Sequence, residues 1–200
     1  MRRYKLFTFS SLRGVKLTEN RKALVFENTA FLDVRSVRSD FCDCLLSGLN
    51  SDKHLELFGQ PLSVQTITVN NTEITQNKLT VEMLSPLTVH KTGADDYTDY
   101  INPLDSDFSD VVNLNFARKY YAFYKQKPSG SVSIKVRSVS SRDKYITLYK
   151  KAKRPDEKDL YITGWRGEYE LSGRPEHLNF LYYCGLGARN SDGFGMFKPI

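Results

Sequence analysis

The densest concentration of chemistry-bearing residues lies near the C-terminus, in Gly185-Leu186-Gly187-Ala188-Arg189-Asn190-Ser191-Asp192-Gly193-Phe194-Gly195. Its four glycines let a backbone turn tightly and approach a ligand with no Cβ in the way. Consecutive amides in such a loop cradle phosphate oxygens, and Arg189 adds a charge-assisted bond; Asn190 and Ser191 belong to the same candidate surface. The segment is not a Walker loop, because no Gly-Lys-Ser or Gly-Lys-Thr follows. It is not a dinucleotide fingerprint either, because the spacing differs and too little sequence follows to build a βαβ unit. Taken as composition alone, the same loop also reads as a structural turn.

A second cluster is basic and aromatic. Along residues 132–136, Val132, Ile134 and Val136 alternate with Ser133, Lys135 and Arg137, which predicts a strand with one polar, basic face. Lys144, Lys150, Lys151, Lys153 and Arg154 gather in and after the next strand, with Tyr145 and Tyr149 among them to stack on nucleobases. The competing reading is a solvated edge whose lysines resist aggregation. Acid–base chemistry most often calls on histidine, and the sequence holds His54, His90 and His177. His54 precedes a strand and His177 sits among packing positions of a helix. His90 follows a strand at the border of an acidic loop and is the reserve acid. Cys42, Cys44 and Cys184 lack a zinc-site pattern and read as buried thiols in a reducing compartment.

The elements that must position these groups fall into two blocks, with domains expected at 1–75 and 76–200. In the first, strands are expected at residues 5–10, 23–26 and 31–34. A helix over 36–49 follows, with Val37, Phe41, Leu45 and Leu49 on one face. Residues 55–58 and 62–69 then read as a hairpin about Gly59-Gln60-Pro61. In the second, a strand at 79–84 precedes a solvated acidic loop over 92–106. A helix at 108–124 carries Phe108, Val112, Phe116, Tyr120 and Phe123 inward and Arg118, Lys119 and Lys125 outward. Strands at 132–136, 145–149 and 160–171 follow, the last interrupted by Gly164 and Gly167. A helix opens at Pro175, where the absent N–H costs nothing, and closes on a left-handed cap at Gly185. Strand, helix, strand, strand, helix, strand is the α+β, ferredoxin-like (RRM-like) order. The first block reads as the same unit entered at its central strands, so the fold expected is a tandem ferredoxin-like pair, incomplete at its N-terminus.

The glycine loop is very similar to the C-terminal glycine-rich signature of the CRISPR repeat-processing endoribonucleases, members of the RAMP superfamily. Gly164-Trp165-Arg166-Gly167-Glu168-Tyr169-Glu170-Leu171, Pro175-Glu176-His177-Leu178-Asn179-Phe180-Leu181-Tyr182, Met83-Leu84-Ser85-Pro86-Leu87-Thr88-Val89, residues 115–124 and the opening Lys5-Leu6-Phe7-Thr8-Phe9-Ser10 agree with it in family order. The resemblance implies cleavage within the CRISPR repeat without metal or cofactor, by attack of a 2′-hydroxyl that leaves a cyclic phosphate and a 5′-hydroxyl. It makes Lys5 the catalytic lysine, while the family's histidine and tyrosine would precede residue 1. It also implies RNA-binding roles for Gly185, Gly187, Arg189, Asn190, Ser191, Gly193 and Gly195, with phosphate contacts from Lys135, Arg137 and Lys144. Two explanations of the missing segment stand: a shortened form of a longer enzyme, or a short member that binds repeat RNA without cutting it and holds it for an interference complex. An incomplete first unit exposes strand edge and core, which a partner protein or a homodimer would cover.

Composition agrees with that partner class. The 29 Lys and Arg against 23 Asp and Glu give a net charge of +6 and favour a polyanion. No apolar run approaches the roughly 20 residues of a membrane span, and the opening residues have no signal-peptide core. A cytoplasmic protein is expected.

Overall fold

The computed structural model describes residues 4–19, 24–51, 55–57, 59–92, 98–152 and 159–200. Ala23, His54, Phe58, Lys153 and Arg154, drawn into the expectations above, lie outside the described residues.

Alternation over residues 5–10 produces β1 (Phe7–Phe9), antiparallel to β4 (Val34–Ser36), with Phe7 opposite Ser36 and Phe9 opposite Val34. Between them rises a ribbon of β2 (Lys16–Glu19) and β3 (Leu24–Phe26). The strand expected at 31–34 is therefore shifted: Phe31 makes only a bridge to Arg13. Helix α1 (Ser39–Ser51) starts later than expected, because the Ser36 hydroxyl donates to the Leu6 carbonyl (3.0 Å) and accepts from the Arg38 amide (3.0 Å), tying Ser36 to β4. The helix docks through Phe41, whose ring stacks on Phe7 at 4.5 Å. The following hairpin, β5 (Leu55–Leu57) with β6 (Gln60–Leu62), is shorter than expected and ends at Leu62.

The second unit contains β7 (Lys78–Met83), β8 (His90–Thr92), β9 (Thr98–Tyr100), α2 (Phe108–Tyr124), β10 (Ser133–Ser138), β11 (Lys144–Lys150), β12 (Leu160–Trp165), β13 (Glu168–Ser172), α3 (Pro175–Cys184) and β14 (Phe197–Pro199). Its sheet runs β10-β13-β7-β14 with every neighbour antiparallel, the ferredoxin-like order. Two expectations are corrected. The acidic loop is not wholly irregular, since β8 and β9 pair within it. Residues 160–171 are two strands in different sheets: β12 pairs with β11 in a second ribbon, whereas β13 enters the main sheet. The corner between them needs Gly167, at φ +105, where a Cβ would run into the Ser138 carbonyl.

Helices α2 and α3 seal one face of this sheet. Phe108, Val112 and Phe116 lie buried against Leu171, Leu178 and Phe180, each phenyl contributing about 1.5–3 kcal/mol by burial. The opposite face is polar, with Lys135 directly across from Glu170 on β13.

Candidate functional site

Helix α3 ends at Gly185, whose φ of 85° and ψ of 155° are open to glycine but are not the left-handed helical cap expected. The chain then folds back over itself. The amides of Gly185, Leu186, Ala188, Gly193 and Gly195 donate to backbone carbonyls within the fold. Those five groups are thus committed to structure. Gly195, at φ +79, lies so close to Leu186 that a Cβ would strike its carbonyl oxygen. Gly185, Gly187, Asn190 and Gly195 are buried, while Arg189, Ser191 and Gly193 reach the surface.

The loop is pinned from below by Lys119. Its ammonium donates to the carbonyls of Gly185 (2.5 Å) and Gly187 (3.1 Å) and to Oδ1 of Asn190 (3.1 Å), one proton for each acceptor. Asn190 in turn donates through Nδ2 to Leu186 (2.7 Å) and Phe194 (3.0 Å). Burial pushes the Lys119 pKa below its ordinary value and the adjacent Cys184 thiol above its own. The sequence reading set Lys119 on the solvent face of α2 with Arg118 and Lys125; it is 2% exposed. The signal was present, since 119 lies three residues after Phe116 on the inward stripe.

The loop also docks on the first unit. The Thr8 hydroxyl donates to Phe194 (3.1 Å), and a Cβ on Gly193 would come within 2.7 Å of the Phe9 ring. Lys5 stands exposed two residues before this strand. The next residue, Leu6, is buried with φ +57, a left-handed conformation costing roughly 1–2 kcal/mol in a non-glycine residue. Arg189 has φ +56, so two of the site's candidates sit at or beside strained backbone.

Over the loop leans the ribbon β11–β12. The Arg189 guanidinium lies 4.3 Å from the Tyr149 ring centroid and 3.5 Å from Asp192, and Tyr145 meets Phe194 edge-on at 6.3 Å. Arg166 reaches the Ser11 hydroxyl at 3.0 Å. Lys144 is exposed at the ribbon's base. Lys135 and Arg137 are exposed as expected, but on the outer sheet face. There Glu170 is held below the usual carboxylate range by Lys78, Arg137 and Lys135. That face is of mixed charge, and the aromatics are gathered on the ribbon instead.

Of the histidines, His177 is fully buried against Phe116 (5.0 Å) and Tyr120 (5.3 Å), and its ring nitrogens have no hydrogen-bond partner among the described residues. Desolvation pushes its pKa down. His90 meets Tyr100 edge-on at 5.9 Å and lines a groove with Tyr4 and Arg118. The expectation of buried cysteines holds for Cys184 alone; Cys42 is half-buried and Cys44 exposed, because α1 covers little of its own surface. Among the described residues no group of three or more His, Cys, Asp or Glu is placed to hold a metal, and no helix is long and apolar enough to cross a membrane.

Residues 69–199 match the family model described as CRISPR associated protein Cas6, C-terminal. The chain is 25% identical over 198 residues to CRISPR-associated endoribonuclease Cas6 1 of Methanocaldococcus jannaschii, covering 97% of this chain and 73% of that protein. It is 26% identical over 198 residues to CRISPR-associated endoribonuclease Cas6 of Pyrococcus furiosus, covering 97% and 70%. Among solved structures, a Cas6-related gene product from Pyrococcus furiosus superposes with a TM-score of 0.83 at 20% identity, over 97% of this chain and 78% of that one. A RAMP protein described as binding different RNA substrates gives 0.79 at 19%, over 98% and 79%. The tandem ferredoxin-like architecture is shared with these structures.

Proposed function

The chain belongs to the CRISPR-associated Cas6 family, and on that premise we propose that it binds CRISPR repeat RNA and cleaves it within the repeat. In the proposed reaction a ribose 2′-oxygen attacks the adjacent phosphorus and gives up its proton to a base. The bond to the 5′-oxygen breaks, that oxygen takes up a proton, and the products are a cyclic phosphate and a 5′-hydroxyl. No metal is required. The Lys5 ammonium stabilises the charge gathering on the phosphorane, and Arg189, backed by Tyr149, holds the strand.

The observation that supports this reading best is the short stretch from Lys5 to Phe9. Lys5 lies two residues before β1, and β1 holds the glycine loop through Thr8 and Phe9. Charge stabilisation and RNA grip are therefore referred to one short stretch of chain, as in-place chemistry on one phosphate demands. A second reading is a silent member that binds repeat RNA and holds it for an interference complex. It is favoured by the histidines: His177 is sealed in the core, which leaves His90 as the described imidazole open to a groove.

The test is incubation of the protein with end-labelled repeat RNA in EDTA, resolved on denaturing and native gels. A single cut with a cyclic-phosphate end supports the nuclease, and Lys5→Ala should then slow it by about 100-fold or more without abolishing the native-gel shift. Shifted but intact RNA selects the silent binder. RNA neither shifted nor cut overturns both.

A further inference from the structure

A groove of about 460 Å³ runs between α2, β8 and the glycine loop, lined among others by Tyr4, His90, Lys91, Asn115, Arg118 and Ala188. That volume falls within the roughly 300–1,000 Å³ of small-ligand sites. The groups around it are of three kinds. Lys91 is tied to Asp107, whereas Arg118 is exposed and makes no ion pair among the described residues, so Arg118 is the cation left to meet an anion. Asn115 keeps its Oδ1 buried with no donor among the described residues, a state that costs about 1–3 kcal/mol until a donor arrives. Tyr4 and His90 supply ring surface.

Position decides what chemistry this combination serves. Tyr4 immediately precedes Lys5 and Ala188 immediately precedes Arg189, and consecutive Cα atoms lie about 3.8 Å apart. The groove therefore adjoins the backbone of the two residues on which the RNA-processing reading places charge stabilisation and strand grip. We infer that it is a nucleotide subsite, taking one residue of the RNA beside the scissile phosphate. Arg118 forks onto a phosphate, the base lies against Tyr4 and His90, and Asn115 accepts from a base amino group or a 2′-hydroxyl. A phosphate alone would leave the rings and the orphan acceptor idle, and an apolar ligand would leave Arg118 unpaired.

This inference rests on the RNA-processing reading, and the test separates the two. Repeat RNA carrying 2-aminopurine at one position at a time is titrated with wild type, Arg118→Gln and Tyr4→Leu at several salt concentrations. One position is expected to be quenched on binding and to lose its quench in Tyr4→Leu. Arg118→Gln should weaken binding about 10-fold and reduce the slope of log affinity against log salt by about 0.7, one single-strand phosphate contact. Its thermal midpoint should stay at the wild-type value, because the side chain is exposed and makes no ion pair. Wild-type binding with affinity and slope unchanged in Arg118→Gln overturns the subsite and leaves the RNA-processing reading standing. A wild type that binds no RNA overturns both.

Discussion

Replacing Lys119 with methionine keeps the length and volume of the side chain and removes its three donors. Gly185 O, Gly187 O and Asn190 Oδ1 then lose their partner in a buried site. Each unsatisfied acceptor costs about 1–3 kcal/mol. Against that loss stands the relief of an ammonium no longer taken out of water, worth several kcal/mol. The net expectation is a destabilisation of about 2–4 kcal/mol, or roughly 4–16 °C in thermal midpoint for a chain of this size. Calorimetry or urea unfolding measures it, and a cycle with Asn190→Ala sharpens it. Both residues hold the same loop, so their effects should be coupled by about 0.5–3 kcal/mol. A Lys119→Met midpoint within 1 °C of wild type, or simple additivity with Asn190→Ala, would refute the claim that this lysine pins the loop.

The buried His177 makes stability sensitive to acid. Its folded pKa is depressed by burial, so below the ordinary histidine value of about 6.5 the unfolded chain binds a proton that the folded chain refuses. Stability should fall as pH drops from about 6.5 toward the folded pKa, and His177→Phe, which suits the Phe116 and Tyr120 cage, should flatten that slope in urea titrations between pH 5 and 8. Gly195→Ala forces a Cβ against Leu186 O at a positive φ. Circular-dichroism melts should show a loss of at least about 2 kcal/mol, beyond the propensity difference alone. Arg189→Lys removes the planar stack on Tyr149 and the fork geometry; filter binding should show repeat-RNA affinity falling about 5- to 10-fold while the melting midpoint moves by less than 3 °C.

Much of the second unit was legible because its apolar spacing and its chemistry agree. Helix α2 is bounded by residues 108 and 124 as expected, since Phe108, Val112 and Phe116 repeat at four-residue steps on the buried face. Helix α3 opens at Pro175 for the reason that proline suits a first turn. What escaped were features set by tertiary contact. Across residues 160–171 the apolar positions change phase, from Leu160 and Ile162 to Trp165, Tyr169 and Leu171, and the glycines at 164 and 167 mark the interruption, but a break in period does not tell that β12 and β13 belong to different sheets. Lys119 was typed by its charge as a surface residue, although it occupies a core position of the stripe. Its charge is tolerated there because three acceptors, two of them main-chain carbonyls freed at the end of α3, converge on it. The glycines were recognised, and the structural turn that their composition also offered is what the backbone contacts display: much of their close approach serves the chain itself.

The two units share one plan, and the plan explains why the glycine loop sits where it does. In the first, β1 and β4 flank the ribbon β2–β3 and lead into α1; in the second, β10 and β13 flank β11–β12 and lead into α3. After α1 the chain makes only a short exposed hairpin. After α3 it returns through the loop to β14, and on the way it crosses to β1, where Thr8 and Ser10, both small and polar, form the buried side of the strand. A bulkier apolar group at 8 would have offered more area for burial but no hydroxyl for the Phe194 carbonyl. The contact between loop and strand therefore relies on hydrogen bonds and on the absence of side-chain volume, rather than on a large apolar interface. Such contacts are intolerant of small displacements, since hydrogen bonds weaken steeply with misalignment. A loop held in this way fixes Arg189 relative to Lys5 only while Lys119, Asn190 and Thr8 are all in place. Loss of any one should disturb both the docking of the units and the surface proposed for RNA.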